Sequence, residues 1–218
     1  MLAQVFNELK RSIGSPRHRK TSQRPGRSFA DGDFAAIQGK LGLRSQTFHH
    51  ILHYLETLSP PYYIVETGTA RAPGYWQEEG NSTLIWDRFV QFWGGRVCSV
   101  DINPTHVAIA QQHVSAQTRV VCSDSIAFLA GLADVEKAHL LYLDSYDLDQ
   151  ANPHPSALHH LMELTSVFAR LAPGTLVAVD DCAGEDVGKH IYVSRYFESI
   201  GITPLFRGYQ TGWVIPAR

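Results

Sequence analysis

Six acidic side chains fall at or just past the ends of apolar, strand-like runs: Glu66, Asp101, Asp124, Asp144, Asp180 and Asp181. In an open parallel sheet, ligands bind beyond the carboxyl ends of the strands, so side chains at these positions can reach a bound molecule. Carboxylates gathered away from water are costly unless something compensates them, and a cluster implies bound cations or hydrogen-bond donors. The first three suit a nucleotide-like cofactor. Glu66 leads into Gly68-Thr69, where a glycine lets the backbone approach a ligand closely. Asp101 can accept two hydrogen bonds from a ribose diol, and Asp124, or Ser123 and Ser125 beside it, can face an adenine amine. The second three, Asp144, Asp180 and Asp181, are hard oxygen donors at the ends of two strands expected to be neighbours. Such a set suits Mg2+, with positions left for water or substrate oxygens. The competing reading for each residue is a capping or solvated carboxylate.

The elements that would position these groups follow from periodicity. Phe48, Ile51, Leu52 and Leu55 recur at helical spacing before Ser59-Pro60-Pro61. Tyr62-Tyr63-Ile64-Val65 is strand-like and runs into the glycine turn, and a helix begins near Ser82-Thr83. Val97 to Val100 is a second strand, followed by Asn103-Pro104 as cap and first helical residue. Arg119 to Cys122, Leu140 to Leu143 and Leu176 to Val179 are further strands, with helices after Asp124, from about Ser156 to Leu171, and through Val193 and Phe197. Two short pieces, Thr203 to Arg207 and Gly212 to Ile215, are expected to pair with each other as a closing antiparallel hairpin. Strands alternating with helices argue for an α/β, Rossmann-like doubly wound sheet, mostly parallel, with a C-terminal antiparallel hairpin. A dinucleotide fingerprint is missing, because Gly68 is followed by Thr69, Ala70 and Arg71.

The composition is that of an ordinary globular protein. With 44% hydrophobic residues and a formal net charge of -2 there is no overall pull toward nucleic acid or membrane, so neither is an expected partner. No apolar run approaches the roughly 20 residues of a membrane helix, and a cytoplasmic location is expected. Cys98, Cys122 and Cys182 are spread out and read as reduced core residues. Lys10, Arg11, Arg17, Arg19, Lys20, Arg24 and Arg27 form a basic stretch without an acidic residue. Residues 1–46 are therefore expected to be a basic arm or lid and 47–218 the catalytic domain.

The ordered set resembles the class I S-adenosylmethionine-dependent methyltransferases. Glu66-Thr67-Gly68-Thr69 is similar to that family's first motif, Val100-Asp101 to its ribose-binding acidic position, and the closing hairpin to its reversed last strand. Gly80-Asn81-Ser82-Thr83 is similar to a Gly-x-Ser-Thr helix start, delayed here by an apparent insertion from Arg71 to Glu79. That insertion is expected to line the substrate entrance or the methionine end of the cofactor, or to pack as a surface flap; Tyr75 and Trp76 are its residues of interest. The resemblance implies S-adenosylmethionine as cofactor, held by Glu66, Gly68, Thr69, Ser82, Asp101 and Asp124, with Asp144 bordering it.

Leu143-Asp144-Ser145-Tyr146-Asp147 and Val179-Asp180-Asp181 resemble the metal-dependent O-methyltransferases, the antibiotic-sugar type more than the catechol type. That implies Mg2+ on Asp144, Asp180 and Asp181. The catechol type's general-base lysine corresponds here to Asp147, so a carboxylate, Asp147 or Asp149, is the expected base, with His159 or His160 as alternatives. The implied substrate is a small molecule such as a natural product or sugar, carrying a hydroxyl that belongs to a metal-chelating diol, and a homodimer is left open. A metal-independent N- or carboxyl-methyltransferase and a non-catalytic cofactor-binding protein are the competing functions.

Overall fold

The computed structural model describes residues 27–79, 81–182, 184 and 186–217. The strands, in chain order, are β1 (Tyr62–Thr67), β2 (Gly95–Asp101), β3 (Thr118–Cys122), β4 (Leu140–Leu143), β5 (Leu176–Val179) and β6 (Thr211–Val214). The helices are α1 (Ala35–Gln38), α2 (Arg44–Glu56), α3 (Trp76–Glu79), α4 (Ser82–Trp93), α5 (Pro104–Gln111), α6 (Ser125–Gly131), α7 (His154–Val167) and α8 (Ile191–Ser199). One sheet runs in the order β3-β2-β1-β4-β5-β6, parallel except for β6.

Side-chain parity explains the two covered faces. Tyr62, Ile64, Leu140, Tyr142, Leu176 and Ala178 enter one core, while Tyr63, Val65, Leu141, Leu143, Val177 and Val179 enter the other. The first core is closed by α2 and α4 through Phe48, Ile51, Leu52, Trp86 and Phe89. The second is closed by α6, α7 and α8 through Leu129, Leu164, Val167, Val193 and Phe197. Strand order reverses between β1 and β4, and the carboxyl ends of these two strands border the crevice where an open sheet of this kind binds its ligand.

Of the described residues before position 47, Phe29, Ala30, Phe34, Ile37 and Leu41 belong to the first core. Phe29, Phe34 and Leu41 are buried, and Phe29 meets Phe89 and Phe92 edge-on with centroids 5.6 Å away in each case. Glu56 accepts hydrogen bonds from Ser28 Oγ at 2.8 Å and Trp93 Nε1 at 3.0 Å, and from the Phe29 amide. The expected boundary between 46 and 47 thus falls inside α2. Of the basic stretch, residues 10–26 lie outside the described residues, and Arg27 sits 4.0 Å over the Phe92 ring.

The expected C-terminal antiparallel element is present, with β5 as its main partner. β6 adds antiparallel to β5, and the segment expected to be its partner contributes a single bridge between Phe206 and Gly212. The open edge of β5 offers a four-residue ladder, and pairing there buries Trp213 to 1% exposure against Phe197. Cys98 and Cys182 are buried, but Cys122 is exposed at the end of the edge strand β3, and all three are free thiols. Among the described residues no helix is long and apolar enough to cross a membrane.

Candidate active site

A cavity of about 240 Å³ opens at the carboxyl ends of β1, β2, β4 and β5, lined by Gly68, Thr69, Asp101, Asp144, Asp147 and Asp181 among others. Gly68 is required at its floor. Its φ is 79°, and a Cβ there would collide with the backbone carbonyl of Asp144. The turn is tied across the sheet by Gly68 N–H to Val100 O at 2.8 Å and Asp144 N–H to Thr67 O at 3.0 Å.

Asp101 faces this cavity from the end of β2. Its Oδ1 accepts from the Asn103 amide at 2.7 Å, its Oδ2 from the Thr69 amide at 3.3 Å, and His106 Nδ1 lies 3.3 Å from Oδ2. Asn103 caps α5 by accepting from the Thr105 amide at 2.9 Å, and Pro104 takes the first helical position, as the sequence predicts. Ile102, 72% exposed, adds an apolar surface beside the carboxylate. Asn81 also lines the cavity; it is 1% exposed, and among the described residues neither oxygen nor nitrogen of its side-chain amide has a hydrogen-bond partner.

Three expected ligand-binding residues do not line the cavity. Glu66 is fully buried behind the glycine turn, where Ser82, Thr83 and Ser99 hydroxyls donate to it at 2.6, 2.7 and 2.7 Å. Burial pushes its carboxyl up to about 7 against the pull of those hydroxyls. Its place is structural: it pins the start of α4 to β1 and β2, and Ser82, which does border the cavity, spends its proton on it. Asp124 is exposed and caps α6, accepting from the Ala127 amide at 2.8 Å. Asp180 is 2% exposed and turned inward, accepting from Gln210 Nε2 at 2.8 Å and from the Asp181 amide at 2.8 Å.

His159 is likewise absent from the lining. It sits 3.0 Å from Ser125 Oγ and 3.5 Å from Glu163, one helical turn along α7. Glu163, fully buried, also accepts from Ser145 Oγ at 2.6 Å and Thr67 Oγ1 at 3.2 Å. His160 is buried beside it, and burial pushes its imidazole down to about 4, so it stays neutral. Asp147 does line the cavity, paired with Arg71, whose Nη1 donates to both its oxygens at 2.9 and 3.2 Å. Arg71 also holds Glu79 at 2.6 Å and so folds the insertion over the site. The insertion reaches the cavity through Arg71 and Glu79; Tyr75 is 65% exposed and Trp76 packs against the first core.

Two cations that sequence reading did not assign complete the arrangement. Lys189 is 2% exposed, and its Nζ contacts Asp144 Oδ1 and lies 3.0 Å from Asp181 Oδ2. Arg44 Nη2 lies 3.1 Å from Asp181 and Nε 3.5 Å from Asp180, with the guanidinium 4.2 Å over the Tyr209 ring. Burial opposes the Lys189 charge, but Asp144, Asp181 and Asp180 outweigh it and hold the ammonium protonated above the ordinary lysine range. Burial also pushes Asp144 up, with Lys189 opposing, whereas Lys189 and Arg44 overcome burial to hold Asp181 below the ordinary carboxylate range. Three carboxyl groups meet two cations here, and burial pushes Asp180 up as well as Asp144, whereas Asp181 stays ionised.

The Mg2+ expectation does not fit this donor set. Asp144 and Asp181 already share an ammonium, Asp180 points away from the cavity, and among the described residues no group of three or more His, Cys, Asp or Glu is arranged to hold a metal ion.

No protein-family model matches the chain, and no curated protein matches it. Solved structures do. MycE, a methyltransferase of the mycinamycin biosynthetic pathway in complex with Mg, SAH and mycinamycin VI, superposes with a TM-score of 0.61 at 16% identity, over 88% of this chain and 56% of that one. CalS11, a TDP-rhamnose 3'-O-methyltransferase of calicheamicin biosynthesis, superposes with a TM-score of 0.55 at 14% identity, over 97% of this chain and 93% of that one. This chain thus spans little more than half of MycE but nearly all of CalS11. With its reversed β6 on an otherwise parallel sheet and its glycine turn after β1, the chain has the fold of the class I S-adenosylmethionine-dependent methyltransferases.

Proposed function

We propose that this chain transfers the methyl group of S-adenosylmethionine to a hydroxyl of a small molecule. The observation that carries the reading is Asp101, a carboxylate held at the cavity wall by the Thr69 and Asn103 amides. It is oriented to accept from a ribose diol, and the exposed Ile102 beside it offers a surface for an adenine ring. The side-chain amide of Asn81, which has no partner among the described residues, suits the polar amino-acid end of the same cofactor, because a buried amide without partners is costly until a ligand supplies them.

When bound, the cofactor supplies a methyl on sulfur: a carbon–oxygen bond forms to the acceptor, the carbon–sulfur bond breaks, and its electron pair stays on sulfur. The chain's part is to orient the acceptor and take its proton. Asp147 is the carboxylate we assign to the proton, since it borders the cavity and Arg71 fixes both its oxygens. The hydroxyl class of acceptor is supported by the sugar O-methyltransferase CalS11 at the level of fold. Mg2+ forms part of the MycE complex, but Lys189 stands between the carboxylates here and we assign no metal to this chain.

Calorimetric titration tests the cofactor. S-adenosylmethionine is expected to bind the wild type and to lose roughly tenfold or more in affinity in Asp101→Ala, the loss of two charge-assisted hydrogen bonds. Binding of NAD in its place would overturn the reading.

A further inference from the structure

We propose that Lys189 is the resident cation of the site: its ammonium stands in for a divalent ion and binds the acceptor oxygen, so that methyl transfer needs no metal. The proposal rests on the methyltransferase reading and adds to it. An ammonium has three N–H donors. Asp144 and Asp181 take two of them, and the third remains for an oxygen in the cavity that Lys189 lines. A positive charge there favours the oxygen as it loses its proton, which is the electrostatic service a metal would otherwise render.

The lysine is built in from both backbone and side chain. Its amide donates to the Asp181 carbonyl at 3.2 Å. Gly188 before it has φ 138°, and a Cβ there would come within 2.6 Å of that same carbonyl. Asp181 itself takes φ 50°, in the left-handed region that aspartate tolerates better than most residues. Lys189 is therefore held against the carboxylates by its own backbone, with the side chain 2% exposed, rather than resting on them from solvent. Arg44 balances Asp180 and Asp181 from the other side.

The test is Mn2+ binding, read from the electron paramagnetic resonance of the free ion, with chelator-treated full-length protein and S-adenosylmethionine present. Wild type is expected to leave the Mn2+ signal unchanged. Lys189→Met, which uncovers Asp144 and Asp181, is expected to bind Mn2+ at least roughly tenfold more tightly, the effect of removing one adjacent unit charge. Lys189→Arg keeps the charge, so it is expected to bind no Mn2+, and with wild type it decides the matter if Lys189→Met does not fold. Stoichiometric uptake of Mn2+ by the wild type, abolished in Asp144→Asn, would overturn the proposal. Titration of the same sample with S-adenosylmethionine separates the two readings: its failure sinks the methyltransferase function, while the Mn2+ result still reports on the cation.

Discussion

Glu66 makes a quantitative test of the claim that it anchors the cofactor turn from behind. Its carboxyl is moved from the ordinary 4.5 to about 7, because complete burial outweighs three hydroxyl donors. Between those two pH values the folded chain binds a proton that the unfolded chain releases. The associated stability is therefore fully present below pH 4.5 and is lost as pH rises through about 7. At about 1.4 kcal/mol per pH unit, the change is roughly 3 kcal/mol. Glu66→Gln imitates the protonated carboxyl and cannot ionise. Urea unfolding followed by tryptophan fluorescence, which the buried Trp86 and Trp213 make sensitive to packing, is expected to find the two proteins within about 1 kcal/mol of each other at acid pH. Above pH 7 the variant is expected to be the more stable by up to roughly 3 kcal/mol. Parallel pH profiles for the two proteins would refute the reasoning. They would mean that Glu66 is solvated or ion-paired, as a ligand-facing group would be.

Gly68→Ala is expected to cost about 3 kcal/mol, combining an unfavourable φ with the collision at the Asp144 carbonyl, and to abolish S-adenosylmethionine binding; a loss below about 1 kcal/mol in denaturant titration would show that the turn can yield. Asp124→Ala is expected to lose about 1 kcal/mol as a missing helix cap while leaving cofactor affinity unchanged by calorimetry, whereas a drop in affinity would return it to the adenine site. Phe34→Ala is expected to destabilise by roughly 3–5 kcal/mol in urea, because Phe34 is fully buried in the first core; a change within about 0.5 kcal/mol would make residues 27–46 an appendage after all.

What the sequence reveals here is governed by how local the physics is. Strand parity in Tyr62-Tyr63-Ile64-Val65 and Leu140 to Leu143 depends on neighbouring residues only, and it is legible along with the helix starts at Asn103 and Ser82. The strand-end position of the six carboxylates is legible for the same reason. Which way each turns is not, since that depends on donors elsewhere: Glu66 is drawn inward by Ser82, Thr83 and Ser99, and Asp124 is claimed by the amides of its own helix. His159 follows the same logic, because Glu163 lies one turn along α7 and engages it away from the cavity. Lys189 and Arg44 carry no local mark at all. Side chains of these types are mostly exposed, and the pairings that join them to the site span 45 positions for Lys189 with Asp144 and 137 for Arg44 with Asp181, although Asp181 itself is near Lys189 in sequence.

That long reach constrains how the site is assembled. Arg44 begins α2 ahead of the first strand in the chain, and Lys189 precedes α8 near the other end of the chain, yet they meet at carboxylates past β4 and β5, Lys189 at Asp144 and Asp181 and Arg44 at Asp180 and Asp181. Removing one partner of a buried charge pair leaves an uncompensated charge and typically costs 3–5 kcal/mol. The carboxylates at the strand ends therefore depend for compensation on Arg44 from the N-terminal helix and on Lys189 ahead of α8. Arg44 extends this dependence to the insertion, since its Nη1 donates to the Gln77 carbonyl at 2.9 Å and thereby fixes the segment from which Arg71 reaches Asp147. The N-terminal helix consequently acts as part of the charge balance of the cavity and of the wall beside Asp147, and loss of Arg44 would take the neighbouring cation from Asp180 and Asp181 rather than merely open an entrance.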